Sequence, residues 1–251
     1  MISLADCTVD DLASQVAGWG FKPSHALRVL RAYYLTGGRP DWAALGLPAG
    51  LREKIGATYT LSAAEPVLRQ VATDGTTKLL LRLADGRTVE TVMMTDFRAD
   101  RVAGCVSSQV GCAMGCDFCA TAQGGFARNL TAGEIVEQFL HLRREALAVG
   151  KRLQTLVFMG MGEPMLNLEA VLAAVRRIAG PELGALGWRQ VTVSTVGVMP
   201  GIDSLAASGL NIHLAVSLHA PDDATRARLL PMGRRYRAAE ILDAAQRYEQ
   251  V

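Results

Sequence analysis

The chain has 251 residues, and its 26 lysines and arginines stand against 24 aspartates and glutamates, for a formal charge of +2. That balance excludes a uniformly basic surface, so nucleic-acid contact would have to rest on local clusters of charge. Half the residues are apolar, enough for a substantial core in one large or two moderate domains. With no run of 18 apolar residues and no basic leader, the chain reads as soluble, cytoplasmic and without a membrane contact. Four of the five cysteines fall within residues 105–119, a poor disulfide framework and a good metal or redox site. Cys7 stands apart and reads as an isolated thiol.

Residues 1–62 read as a small helical domain. Thr8 and Asp11 form a capping-box pattern, with Leu12, Val16 and Trp19 following at helical spacing. Gly18, Gly20 and Pro23 end that helix. Ser24 is placed to cap a second, whose apolar members are Ala26, Leu27, Leu30, Tyr33 and Tyr34. A short helix is expected around 51–55. Residues 63–96 form a connecting segment with a period of two, and the Asp74-Gly75 and Asp85-Gly86 turns between β-prone runs predict a three-stranded meander.

From residue 97 to 251 short apolar strands alternate with helices. Strands are expected at 102–107, 155–159, 190–194 and 212–217. Helices follow Thr131 (a capping box with Glu134) and cover 168–178, 202–207, 222–230 and 238–249. The alternation predicts parallel βαβ units, hence an α/β protein whose chemistry sits at the strand ends. Four strands are too few to close an eight-stranded barrel, and the chain reads as a fragment or a short form with an incomplete barrel.

The stretch from Cys112 to Cys119 carries three cysteines at i, i+4 and i+7. One loop can turn three such thiolates onto a single inorganic centre, with one position left open. Three of four zinc ligands is the alternative, but zinc sites usually pair two short Cys or His units, and His25, His141, His213 and His219 each stand alone. Gly160-Met161-Gly162-Glu163-Pro164 follows the second of these strands. Its glycines allow close backbone approach and its carboxylate can accept from an ammonium group. Ser194-Thr195 and Ser217-Leu218-His219 end the third and fourth strands, where each hydroxyl could equally serve a turn. Arg226, Arg228, Arg234, Arg235 and Arg237, with Arg98, Arg101 and Arg128, are candidates for phosphate contact.

The Cys112–Cys119 spacing after a strand resembles the radical S-adenosylmethionine (SAM) superfamily. The longer motifs Cys105-Val106-Ser107-Ser108-Gln109-Val110-Gly111-Cys112, Phe126-Ala127-Arg128-Asn129-Leu130-Thr131, Gly160 to Pro164 and Ser217-Leu218-His219-Ala220 narrow the likeness to the RlmN/Cfr family of RNA methyltransferases, and to its RlmN branch.

That resemblance implies a radical-SAM partial (β/α) barrel, incomplete here. It implies that Cys112, Cys116 and Cys119 hold a [4Fe-4S] cluster and that Gly162, Glu163, Ser194, Ser217, Leu218 and His219 contact SAM. Glu90 matches a proton acceptor, and Cys105 a cysteine that helps release the enzyme from its cross-link to the base. The implied reaction methylates C2 of an adenosine in large-subunit (23S) ribosomal RNA and in some transfer RNAs, through a 5′-deoxyadenosyl radical and a methyl carried on a C-terminal cysteine. The related branch methylates C8, and a non-catalytic cluster- or RNA-binding fragment is the reading outside enzymes. The implied partners are those RNAs and an external electron donor such as flavodoxin, with the protein expected to be a monomer. No cysteine follows Cys119, so the methyl carrier is absent and this chain is expected to be inactive alone.

Overall fold

The structure is a computed structural model and describes residues 1–250. The chain starts with β1 (Ile2–Ser3) and then α1 (Val9–Gly18). The Thr8 hydroxyl accepts from the Asp11 amide at 3.1 Å, and the Asp11 carboxylate accepts from the Thr8 amide at 3.0 Å, closing the expected capping box. Helix α2 (His25–Leu35) buries Ala26, Val29, Leu30, Tyr33 and Tyr34. Ser24 does not cap it. Its own dihedrals are already helical (φ −60, ψ −16), so its side chain makes no cap bond, and the Ala26 amide goes to Pro23 O at 3.0 Å instead. Helix α3 (Ala49–Thr58) leads into β2 (Tyr59–Thr60), which pairs in parallel with β1 and draws the start of the chain back onto the helical unit.

The meander strands β3 (Glu65–Val71), β4 (Thr77–Arg82) and β5 (Thr88–Thr95) form as antiparallel neighbours. They do not stand alone, because β5 pairs antiparallel with β6 (Arg101–Cys105), matching Val92 with Cys105. Both faces of β3 are largely solvent-exposed, Leu68 and Val71 included. It is the sheet's edge, with only β4 beside it.

After β6 come β7 (Gln109–Gly111), α4 (Ala120–Gln123) and β8 (Phe126–Asn129). Strands β7 and β8 form a separate antiparallel ribbon. Next are α5 (Ala132–Ala148), β9 (Arg152–Phe158), α6 (Leu168–Ala179), β10 (Val191–Thr195), α7 (Met199–Ala206), β11 (His213–Val216), α8 (Asp223–Leu229) and α9 (Ala238–Glu249). Thr131 and Glu134 close the second capping box, ahead of α5.

The main sheet has seven strands in the order β11-β10-β9-β6-β5-β4-β3, with β6, β9, β10 and β11 mutually parallel. The fold is α/β with an open, partial sheet rather than a closed barrel. Val89, Val102, Leu156, Val191 and Val193 are buried in a core that also takes in Ile135, Phe139 and Leu142 of α5. Among the described residues no helix is long and apolar enough to cross a membrane.

Candidate active site

Side chains alternate along a strand, and cross-strand partners share a face. Val92, Cys105, Val157, Thr192 and His213 are successive partners across the sheet, so they lie on one face. Two residues along the same strands, Glu90 and Ser194 share that face. The register thus brings the expected Glu90, Cys105 and Ser194 to the face opposite the α5 core. Glu90 accepts from Lys78 Nζ at 2.8 Å, and its backbone N–H meets the sulfur of Met161 at 3.4 Å. It borders a cavity of about 400 Å³ with Gly111, Thr121 and Met161, against the cysteine loop. The Cys105 thiol is half-buried near the Met159 N–H, and burial pushes its pKa up.

The cysteine loop is slung from the β7–β8 ribbon. Gly111 has φ +77, and a Cβ there would run into the carbonyl oxygen of Gly125, which instead accepts from the Cys112 amide at 2.9 Å. Only glycine fits that crossing. The far side of the loop rests on the segment after β11. The Asp117 amide donates to Leu229 O at 3.0 Å, and a Cβ on Gly115 would lie 3.3 Å from the Pro231 ring. Cys112 and Cys116 are buried and Cys119, at the start of α4, is half-buried.

Burial pushes the Cys116 thiol up to about 11, with charge on Cys112 and Cys119 adding to it. Burial raises Cys112 too, against the backbone N–H groups of Met114 and Gly162, which favour its thiolate. Thiols raised by burial, as Cys112 and Cys116 are, ionise readily only beside a cation, which is what a metal centre provides. Among the described residues no three His, Cys, Asp or Glu side chains converge as they would around a single ion. A zinc ion, with bonds of about 2.3 Å to sulfur, would draw them together. An iron–sulfur cluster gives each thiolate its own iron, so its three ligands need not meet at one ion.

The Gly160–Pro164 turn is built against this loop. Gly162 has φ +99, and a Cβ on it would fall 2.6 Å from Gln109 Cβ. Glu163 is buried, its pKa raised by burial. Its two carboxylate oxygens accept from the amides of Met165 (3.1 Å) and Val196 (3.0 Å). Ser194 donates to Phe158 O at 2.8 Å. Ser217 and Leu218 are half-buried beyond β11. His219 holds a positive φ of 60, rare for a non-glycine residue, and its ring sits 4.7 Å from that of Phe118 in the cysteine loop. The loops after β6, β9, β10 and β11 therefore meet at one end of the parallel strands.

A description of the radical SAM superfamily matches residues 106–251. The probable dual-specificity RNA methyltransferase RlmN 1 of Opitutus terrae is 67% identical over 98% of this chain and 70% of its own length. The chain belongs to the RlmN family of radical SAM proteins. The dual-specificity RNA methyltransferase RlmN 1 of Myxococcus xanthus is 44% identical over 99% of this chain and 69% of its own. The crystal structure of a radical SAM methyltransferase from Sphaerobacter thermophilus superposes with a TM-score of 0.89 at 41% identity, covering 99% of this chain and 72% of that one. The chain thus spans about 70% of the length of those two methyltransferases. Its cofactors are those of the superfamily, a [4Fe-4S] cluster and SAM.

Two of the expected arginines are not free to meet RNA. Arg226 is completely buried and donates to the carbonyls of Val196 and Tyr236. Arg128 is held by Asp85 at 2.7 Å and by Glu134 at 2.8 Å. Arg228, Arg234, Arg235, Arg237 and Arg98 are exposed. Sequence reasoning passed over the buried amides behind the site. Gln109 accepts from the Glu163 amide at 2.9 Å and donates to Asn129 at 2.8 Å, while Asn167 donates to the carbonyls of Ser108 and Leu130 at 2.8 Å each. Polar amides inside motifs that also hold buried valine and leucine were the available signal.

Proposed function

We propose that this chain is the radical-SAM core of an RNA methyltransferase that places a methyl group on C2 of adenosine in 23S ribosomal RNA and in some transfer RNAs, receiving electrons from a donor such as flavodoxin. One observation carries the reading. The strand that enters the three-cysteine loop and the Glu163 turn are hydrogen-bonded to each other at the ends of the parallel strands, the Gln109 side chain accepting from the Glu163 amide at 2.9 Å and the Gln109 backbone N–H donating to Met161 O at 3.2 Å.

Cys112, Cys116 and Cys119 would hold the cluster, and Gly162, Glu163, Ser194, Ser217, Leu218 and His219 would hold SAM. When bound and reduced, the cluster supplies the electron that cleaves SAM to a radical. The chain's own residues supply position. The Glu163 carboxylate is pinned by the Met165 and Val196 N–H groups and by the Thr195 side chain, which hold it in place to accept from an ammonium donor. Ser194, its proton committed to Phe158 O, presents its oxygen as an acceptor. Glu90, steadied by Lys78, is the proton acceptor, and Cys105 on the neighbouring strand is the thiol that frees the methylated base.

With no cysteine beyond Cys119, these 251 residues taken alone are expected to cleave SAM yet leave adenosine unmethylated. The test is anaerobic reconstitution with iron and sulfide, then chromatography for 5′-deoxyadenosine and mass spectrometry of an incubated rRNA fragment. SAM cleavage without methyl-adenosine supports the reading. A protein that takes up no iron refutes the core assignment, and methylated adenosine formed by these residues alone refutes the expected need for a methyl-carrying cysteine.

A further inference from the structure

Arg226 is the one guanidinium or ammonium group among the described residues whose side chain is fully buried. It lies on α8 and satisfies only two of its nitrogens, donating to the carbonyl oxygens of Val196 and Tyr236. Its Nε has no partner, and it forms no ion pair with any carboxylate among the described residues. Taking an unpaired charge out of water is expensive, and a buried cation without a counter-charge is a strong destabilising feature. Such a group persists where another part of the assembled protein offsets it.

Asp223, three residues earlier on the same helix, offsets part of that charge without an ion pair, and the surroundings show what offsets the rest. Leu229, three residues on from Arg226, accepts from the Asp117 amide of the cysteine loop, and Pro231 packs against Gly115. The cysteine loop is therefore laid directly on the segment that Arg226 anchors. Val196, whose carbonyl takes the guanidinium, gives its own N–H to Glu163. One residue thus connects the buried cation to the SAM turn. Burial lowers the pKa of Arg226, while charge on Asp223 and, after it, on Cys116 opposes that shift. Three thiolates are the anionic group that this site assembles only when loaded.

We propose that Arg226 is a positioning residue for the cluster's charge, its buried cation offsetting the thiolate-bound cluster and raising the cluster's reduction potential. Charge, burial and hydrogen bonding are the levers by which a protein sets such potentials. A unit charge within about 12 Å, at an effective dielectric of about 20, shifts a one-electron equilibrium about tenfold. The proposal rests on the assignment of the cluster to Cys112, Cys116 and Cys119.

The experiment reconstitutes wild type, Arg226→Lys, Arg226→Gln and Arg226→Met anaerobically. It reads iron content, the midpoint potential by titration followed with electron paramagnetic resonance, and the melting temperature of each protein before loading. Arg226→Lys is expected to keep the wild-type potential. The two neutral variants are expected to favour the oxidised cluster about tenfold more, a negative shift of about 59 mV, and unloaded they melt within about 4 °C of wild type. Neutral variants that melt normally but fail to retain iron, while Arg226→Lys retains it, support the same conclusion. An unchanged potential in iron-replete neutral variants overturns it. So does a neutral variant that fails to fold before loading, because Arg226 then serves the fold alone. Failure of the underlying cluster assignment shows separately, as wild-type protein that takes up no iron.

Discussion

Replacing Gln109 by leucine isolates the bond that ties the cysteine ribbon to the Glu163 turn. Gln109 is 1% exposed, and its carbonyl oxygen accepts from the Glu163 amide at 2.9 Å. Leucine is close to glutamine in volume, so the cavity contribution is small and the change is mainly electrostatic. Its consequences at the two ends differ. Asn129, the acceptor of the Gln109 amide, is exposed and turns to water at little cost. The Glu163 N–H is buried and has no alternative acceptor in reach of water, and an unsatisfied buried donor costs about 1–3 kcal/mol. The expected loss is about 2 kcal/mol. With a urea slope of about 2 kcal/mol/M, the midpoint of unfolding falls by about 1 M. The same freed turn carries Glu163, so affinity for SAM in the reconstituted protein is expected to fall about tenfold, the equivalent of about 1.4 kcal/mol. Urea unfolding followed by circular dichroism and SAM binding by equilibrium dialysis measure the two effects. A midpoint within about 0.2 M of wild type together with unchanged SAM affinity would refute the coupling of ribbon and turn.

Other expectations follow from the same geometry. Alanine at Cys112, Cys116 or Cys119 should each abolish most iron uptake, while Cys7→Ala and Cys105→Ala leave it intact, as read by iron and sulfide assays. Gly162→Ala forces a side chain into φ +99 and within 2.6 Å of Gln109 Cβ. The backbone conformation costs about 1–2 kcal/mol and the overpacking about 1–3 more, measurable by urea unfolding, and a loss under about 0.5 kcal/mol would contradict the tight turn. His141 is buried, and burial with the Arg144 charge lowers its pKa from 6.5 to about 4. Unfolded chains bind a proton there that the folded protein refuses, so its contribution to stability is whole above pH 6.5 and is lost as pH falls toward 4. The upper bound is about 3 kcal/mol. Glu137, on the same helix and also bonded to Ser62, has its pKa raised by burial and acts in the opposite sense. Comparing wild type with His141→Gln at pH 7 and pH 5 isolates the histidine, whose removal should flatten the decline.

Elements with local causes were legible in the amino-acid order alone. The Thr8–Asp11 and Thr131–Glu134 capping boxes formed because each uses only atoms within one turn of chain. The four parallel strands and their helices followed from hydrophobic periodicity, and the cysteine spacing with its neighbouring motifs identified the family. Ser24 shows where that logic stops, since a cap requires non-helical dihedrals and the chain before it chose otherwise. Tertiary structure decided what depends on distant partners. Pairing of Val92 with Cys105 fused the meander to the parallel strands and placed Glu90 and Cys105 on one face. It also separated the arginines by environment, burying Arg226 behind the cysteine loop and pairing Arg128 with two carboxylates while their neighbours stayed in water. Charge written in a sequence is the same at every one of those positions. Which of them faces solvent is set by packing between segments about 30 to 110 residues apart, and no local pattern carries that information.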